Sequence, residues 1–437
     1  MNSRQISAPE HISNQPETVW TLQLPKIRFG RGSTEELAHQ LQGLGVAAPA
    51  RGLLVTDSEI VSHGHSNQIK KVLEEAGFST KTYDDVRREP SVTSIEDCLN
   101  HINEVAGEDG FDFYIGLGGG SCMDTAKAVR TIKANDGTVT DYISEPTGRG
   151  QDLKKSGAPL ILMPTTAGTG SEISPVAIID VPEKNTKEAI ASQHVRADAA
   201  VLDPVYSVTL PSKETALIGM DALGQAIEGY ITHSFDSLLR ARTPTNRPVY
   251  AGRTPVTEMY SERAIELLYQ NIRRATHNGD DIHARSDMLL GALFGGIAAL
   301  TAGSNLCHAM SYPVANKWHT YHGETIAVLT PASTFEYNKG SNPARFETIA
   351  ELFGVDTTGL SPHEAAEAAK QQFIQLQRDL DVVPSGLHEL TGATEAHVSD
   401  LAERCITQQR RLLRCNPRSV SEDAIADVYR DALRNWE

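Results

Sequence analysis

Cysteine is scarce in this chain. Five thiols in 437 residues, at Cys98, Cys122, Cys307, Cys405 and Cys415, include no C-x-x-C pair and are odd in number. That excludes a disulfide framework and points to a reducing compartment. Long apolar runs are absent, none approaching the ~18 residues that a membrane-spanning helix needs. Positive charge is in deficit, with 40 Lys and Arg against 56 Asp and Glu and a net charge of −16. An acidic chain repels phosphate backbones, so nucleic acid is not an expected partner. Internal repeats and low-complexity segments are also missing. The opening "MNSRQISAPEHISNQPETV" has no apolar core segment, one Arg and two Glu, unlike a secretory signal or a transit peptide. Residues 1–21 are expected to be a flexible tail, and the protein to be cytoplasmic.

What is present is an ordinary globular composition, 40% hydrophobic and 22% charged, with material for about two to three domains. The first half alternates strand and helix. "LLV" at Leu53–Val55 is a buried strand, and "SNQIKKVLEEAG" is an amphipathic helix ending at Gly77. "SIEDCLNHINEVAGEDG" is a helix capped by Ser94. "FDFYIGLGGG" and "APLILMPTTAGTGS" are strands running into small-residue loops. This alternation predicts an open, mainly parallel sheet covered by helices. Beyond "VLDPVYSVTLPS" the pattern is helical almost throughout, including Lys213–Thr232, Val256–Arg274 and Ala284–Thr301. The expected organisation is an α/β nucleotide-binding domain over 22–206 and an all-helical domain over 207–437. One stretch interrupts the helices. Residues 234–256 hold three prolines, one glycine and four arginines, the pattern of a long functional loop.

"GLGGGSCMDTAK" follows a strand and opens a helix. Gly118, Gly119, Gly120, Ser121 and Asp124 there fit a backbone that approaches a pyrophosphate at a helix N-terminus. A tight strand–helix turn is the simpler alternative. "PTTAGTGSE" offers Thr165, Thr166, Thr169 and Ser171 in a second such loop, and two loops at one carboxyl edge favour a nucleotide. Asp57, ending the "VTD" strand, suits an adenosine ribose and disfavours a 2′-phosphate, hence NAD(H) over NADP(H). It also fits a plain helix N-cap. Lys187 completes the expected cofactor set.

In "GMDALGQAIEGY", Asp221 and Gln225 stand four apart on a helix, one turn up the same face. "NLCHAMSYPVANKWHTYHGETIAVLTP" brings His308, Tyr312, His319 and His322, with a bend expected after Pro313. Asp and His together suit Zn²⁺ or Fe²⁺. From the residues alone, a metal site and an ordinary helical core both remain open.

Taken together, "GGGSCMDTAK", "PTTAGTGSE", "GMDALGQAIEGY" and "LCHAMSYP…YHG" resemble the iron-containing (group III) alcohol dehydrogenases over nearly the full chain. "RPVYAGRTPVTEMY" and the Arg-rich loop before it resemble the hydroxyacid–oxoacid transhydrogenase branch. The resemblance implies an NAD(P)-binding α/β domain, a helical metal domain and hydride transfer in the cleft between them. It implies metal ligands at Asp221, His308 and His322. The fourth is Gln225, where the family has a His. An amide oxygen is a weaker ligand than imidazole, so Fe²⁺ or Zn²⁺ would be held more loosely. His308, His322 and Tyr312 are the candidates for handling the substrate oxygen and its proton. Arg240, Arg242, Arg247 and Arg253 are candidates for an anionic group on the substrate. The expected activity is NAD(H)-dependent interconversion of a small anionic aldehyde and its primary alcohol, by a homodimer or larger oligomer. The alternatives are a transhydrogenase with retained cofactor and a non-catalytic nucleotide-binding relative.

Overall fold

The computed structural model describes residues 12–184, 186–244 and 247–436. Two compact units emerge. One comprises Leu24–Ala222 and Leu267–Gly296; the other comprises residues up to Gln23, Leu223–Glu266 and Ile297–Glu437. The chain is thus not cut once at 206/207. The division falls inside a continuous helix, Ser212–Ile231.

The first unit is built on a six-stranded parallel sheet. Calling Ile12–Pro16 β1, its strands are β2 (Lys26–Phe29), β3 (Arg51–Val55), β4 (Ser79–Tyr83), β5 (Phe113–Gly118), β6 (Leu160–Pro164) and β9 (Ala199–Leu202), in the order β2-β9-β6-β5-β3-β4. An antiparallel hairpin, β7 (Val176–Val181) and β8 (Thr186–Ala191), lies outside that sheet. Alternate residues of one strand enter opposite cores. Leu53 and Val55 of β3 join one cluster with Leu160 and Leu162 of β6. Leu54 joins another with Ile161 and Met163. Both faces are therefore covered, which is why these strands read as unbroken apolar runs. Each fully buried Leu or Ile contributes roughly 1.5–3 kcal/mol. The N-cap expected at Ser94 falls three residues earlier. Ser91 is the N-cap of helix Val92–Ala106, and Ser94 is its N3 partner in a reciprocal capping box.

The second unit is mainly helical. Leu306, Met310, Val314, Ile326, Leu329, Leu401 and Tyr429 are fully or almost fully buried in one core. The helix Leu306–Trp318 continues past Pro313 and ends at His319, whose φ of 54° is left-handed. The bend thus comes at His319 and not at the proline. Part of the expected tail is ordered. β1 pairs antiparallel with β10 (Leu239–Ala241), and Glu17, next in sequence, is buried against Arg247. Residues 1–11 lie outside the described residues. The α/β first half and helical second half match the expected fold class. All five cysteines are buried and free, and among the described residues no single helix is long and apolar enough to cross a membrane.

Candidate nucleotide loops and metal centre

Strands β3, β5 and β6 are neighbours, so their carboxyl ends open side by side. Asp57, Gly118–Ser121 and Thr165–Ser171 meet there. The Thr165 N–H donates to the Gly118 carbonyl at 3.1 Å. A Cβ on Gly119 would stand 3.7 Å from Thr166, and one on Gly120 would stand 3.1 Å from Thr169. At Gly118 the backbone has φ +143°, and a Cβ would come within 2.6 Å of Cys122 Sγ. This position therefore requires glycine. Helix Gly120–Lys133 begins in the loop and presents its N-terminal N–H groups to the strand ends.

Asp57 does cap a helix: its Oδ1 accepts from Ile60 N at 2.9 Å. Its Oδ2 accepts from the Cys122 thiol at 3.4 Å, which ties it to the glycine loop. Burial and the Asp57 charge hold that thiol well above its ordinary pKa. Two of the expected cofactor residues face inward instead. Asp124 Oδ1 accepts from Ser171 Oγ at 2.5 Å and from Lys127 Nζ at 3.2 Å, and Oδ2 accepts from Ile178 N. Lys127 is fully buried and also donates to Ser171 Oγ at 2.7 Å. Asp124 and Ser171 therefore brace the two loops against each other, because their polar atoms are satisfied within the chain. Lys187 pairs with Glu89 at 2.5 Å, and the Ser121 hydroxyl donates to the Arg88 carbonyl. Lys127 and Cys122 had no distinguishing signal in the sequence.

The division between the units lies one residue past Asp221, so Asp221 rides on the same helical rod as Gln225 and Glu228. Asp221, His308 and His322 each offer one ligand atom, all within 4.8 Å of one another. Ligands ~2.1 Å from one ion stand roughly 3–4 Å apart, so modest side-chain adjustment gathers all three. Asp221 and His308 are buried and His322 half-buried. Gln225 is buried one helical turn from Asp221. Tyr312 stacks beside His322, ring centroids 5.8 Å apart. His319 is exposed and is not part of the cluster.

Glu228 was missed by the sequence reading, where a helical Glu suggests a solvated face. It is fully buried. Its carboxylate accepts from Asn305 N at 3.0 Å and Cys307 N at 2.7 Å, and meets His308 Nδ1 at 2.5 Å. A carboxylate receiving these bonds places the proton on Nδ1 of His308 and leaves the Nε2 lone pair for a metal. Ser311 Oγ donates its one proton to the His308 carbonyl at 2.7 Å. Its 3.4 Å contact with His322 Nδ1 then has the nitrogen as donor. Nδ1 of each ring is thus engaged within the chain, and each ring offers the cluster one nitrogen. One carboxylate and two such nitrogens fit Fe²⁺ or Zn²⁺.

The arginines of the loop turn to more than one carboxylate of the chain itself. Arg247 forms a forked pair with Glu17 at 3.0 and 3.2 Å, and Arg240 Nε lies 4.0 Å from the same carboxylate. Arg253 pairs with Glu258 at 3.4 Å and donates to the Thr232 carbonyl. Arg242 lies between them in the loop. Arg240, Arg247 and Arg253 thus engage carboxylates of the chain itself.

Glycine loops at a parallel-sheet edge and an Asp–His–His cluster on helices define a dehydrogenase-type oxidoreductase. The family model of the iron-containing alcohol dehydrogenases matches residues 25–204, and that of the Fe-containing alcohol dehydrogenase family, C-terminal, matches 249–433. The chain belongs to the iron-containing alcohol dehydrogenase family. It is 31% identical over 451 residues to the mitochondrial hydroxyacid-oxoacid transhydrogenase of Xenopus tropicalis, covering 99% of this chain and 94% of that one. The human protein of the same name is 30% identical over 433 residues, 95% of this chain and 90% of its own. Among solved structures, a 1,3-propanediol oxidoreductase superposes with a TM-score of 0.84 at 29% identity, covering 95% of this chain and all of the other. A sulfoacetaldehyde reductase from Bifidobacterium kashiwanohense, in complex with NAD⁺, gives 0.80 at 26% identity, with 95% and 99% covered.

Proposed function

We propose that this oxidoreductase moves hydride from a small hydroxyacid to an oxoacid through a nicotinamide that it retains. The observation that carries this reading is the 31% identity to hydroxyacid-oxoacid transhydrogenases over 99% of the chain. It reverses the order expected from the sequence, in which reduction of a free aldehyde came first. In the donor half-reaction a carbinol C–H bond breaks, its electron pair leaves as hydride, the hydroxyl loses a proton and a carbonyl forms. In the acceptor half-reaction the oxoacid carbonyl gains that hydride and one proton. When bound, the nicotinamide stores the hydride between the halves and the metal polarises the reacting oxygen.

The chain's own groups divide the remaining tasks. The N-terminus of Gly120–Lys133 and the glycines beside it receive a pyrophosphate. Asp57, beside the glycine loop, would accept from a ribose 2′-hydroxyl and repel a 2′-phosphate, which favours NAD(H). Asp221, His308 and His322 hold the metal, with Gln225 as a weak fourth arm. The Tyr312 phenol beside His322 supplies or removes the oxygen-bound proton.

The test uses purified protein with 4-hydroxybutyrate and a 2-oxo acid, with no nucleotide added. Formation of succinate semialdehyde, abolished by chelation and restored by Fe²⁺ or Zn²⁺, is the expected result. Turnover only when free NADH is supplied with succinate semialdehyde would overturn it. That outcome would favour the second reading, an NAD(H)-dependent reductase of anionic aldehydes. Its own support is the likeness to sulfoacetaldehyde reductase. No hydride transfer to any of a panel of aldehydes and oxoacids would leave a non-catalytic nucleotide-binding protein.

A further inference from the structure

Glu228 lies seven residues past Asp221 and three past Gln225, so a single helix carries one strong ligand, one weak ligand and a carboxylate aimed at a third ligand. We propose that Glu228 is the positioning residue of the metal centre: it fixes His308 in the ligating tautomer and sets how tightly the metal is held. This rests on the reading of Asp221, His308 and His322 as ligands.

Three observations converge on it. A fully buried carboxylate is costly unless paired and hydrogen-bonded, and Glu228 meets two backbone N–H groups and one imidazole. The imidazole contact is to Nδ1, so the proton stays on the nitrogen away from the cluster. The two backbone donors belong to the N-cap and the first turn of the Leu306–Trp318 helix, so the same carboxylate locks the start of that helix, and His308 with it, against Ser212–Ile231. A carboxylate behind a ligating imidazole also raises its basicity. In a site where an amide replaces one imidazole, that added donor strength offsets part of the loss.

The competing explanation is that Glu228 only caps the His308 helix. Asn305 separates the two. Its side chain caps the same helix at Leu306 N, 2.7 Å, and bonds to the Glu228 carbonyl and the Thr232 hydroxyl. Asn305→Ala weakens the helix start and leaves the carboxylate–imidazole bond intact. Glu228→Gln keeps the volume but turns an acceptor into a donor facing N–H groups.

The experiment measures Zn²⁺ affinity by chelator competition on wild type, E228Q and N305A, with circular dichroism to verify folding. The expected result is a Kd ~10–100-fold weaker in E228Q and within about threefold of wild type in N305A. Wild-type affinity in E228Q, or an equal loss in both variants, would overturn the proposal. Where E228Q does not fold, ¹⁵N spectra of metal-free wild type decide: Nδ1–H on His308 is expected, and Nε2–H overturns it. Failure of wild type to bind Zn²⁺ or Fe²⁺ would instead refute the ligand reading. The spectra would still report separately on Glu228.

Discussion

Replacing Gln225 by His offers a direct gauge of the weak arm. The residue is buried and stands one helical turn above Asp221, and imidazole and amide are similar in size, so the change is one of donor strength more than packing. A gain of ten- to a hundredfold in metal affinity corresponds to ~1.4–2.7 kcal/mol. Under saturating metal the same free energy adds to folding stability. At ~2.1 cal/mol/K per residue, unfolding this chain carries an entropy near 0.9 kcal/mol/K, so the gain raises Tm by only ~1.5–3 °C. Chelated protein should not gain, since His is a slightly poorer helix former than Gln. The assay is therefore paired: Zn²⁺ competition titration, and melting with Zn²⁺ and with chelator. A Q225H protein that folds normally yet binds Zn²⁺ no more tightly than wild type would refute the placement of residue 225 in the ligand shell.

Three further outcomes are expected. Gly118→Ala forces a side chain into φ +143° and against Cys122; strain of ~1–3 kcal/mol should accompany at least a tenfold loss of NAD⁺ affinity, read by fluorescence titration. Burial pushes the Glu172 carboxyl up to about 7, from an ordinary 4.5. Between those values the folded chain holds a proton that the unfolded chain has released, so this group's contribution to stability falls as pH rises from about 4.5 to about 7. Glu172→Gln should flatten that slope in urea titrations across the window, and an unchanged slope would refute the assignment. Arg247→Ala leaves Glu17 buried without its forked partner. It should lower the urea midpoint while changing the kcat/KM preference for anionic over neutral substrates less than threefold; a selective loss on anionic substrates would return Arg247 to the substrate.

The glycine loops were legible because strand, glycine run and helix start are consecutive in the chain, and local chemistry dictates that junction. The Asp–His–His cluster was less so. Asp221 and His308 are 87 residues apart, and no periodicity relates them; only the family resemblance joined them before the fold did. Glu228 was invisible because its role depends on burial, which a helical Glu does not advertise. Asp124 and Ser171 were read as facing a ligand, and in the structure they meet Lys127, since a lysine in a helix reads as exposed until it proves fully buried. Ile12–Pro16 is too polar to look like a strand, and its order comes from a partner more than 220 residues later.

That last pairing has a consequence for how the chain is made. β10 follows Ile12–Pro16 only after about 220 more residues, ~10–45 s later at ordinary elongation rates. Throughout that interval the earlier strand's backbone donors and acceptors have no sheet partner, and Glu17 has no guanidinium. The six-stranded sheet, finished by Leu202, can assemble during this wait. Ile12–Pro16 is thus among the last segments to find its place, and a bulky group fused ahead of it would act on a late folding step.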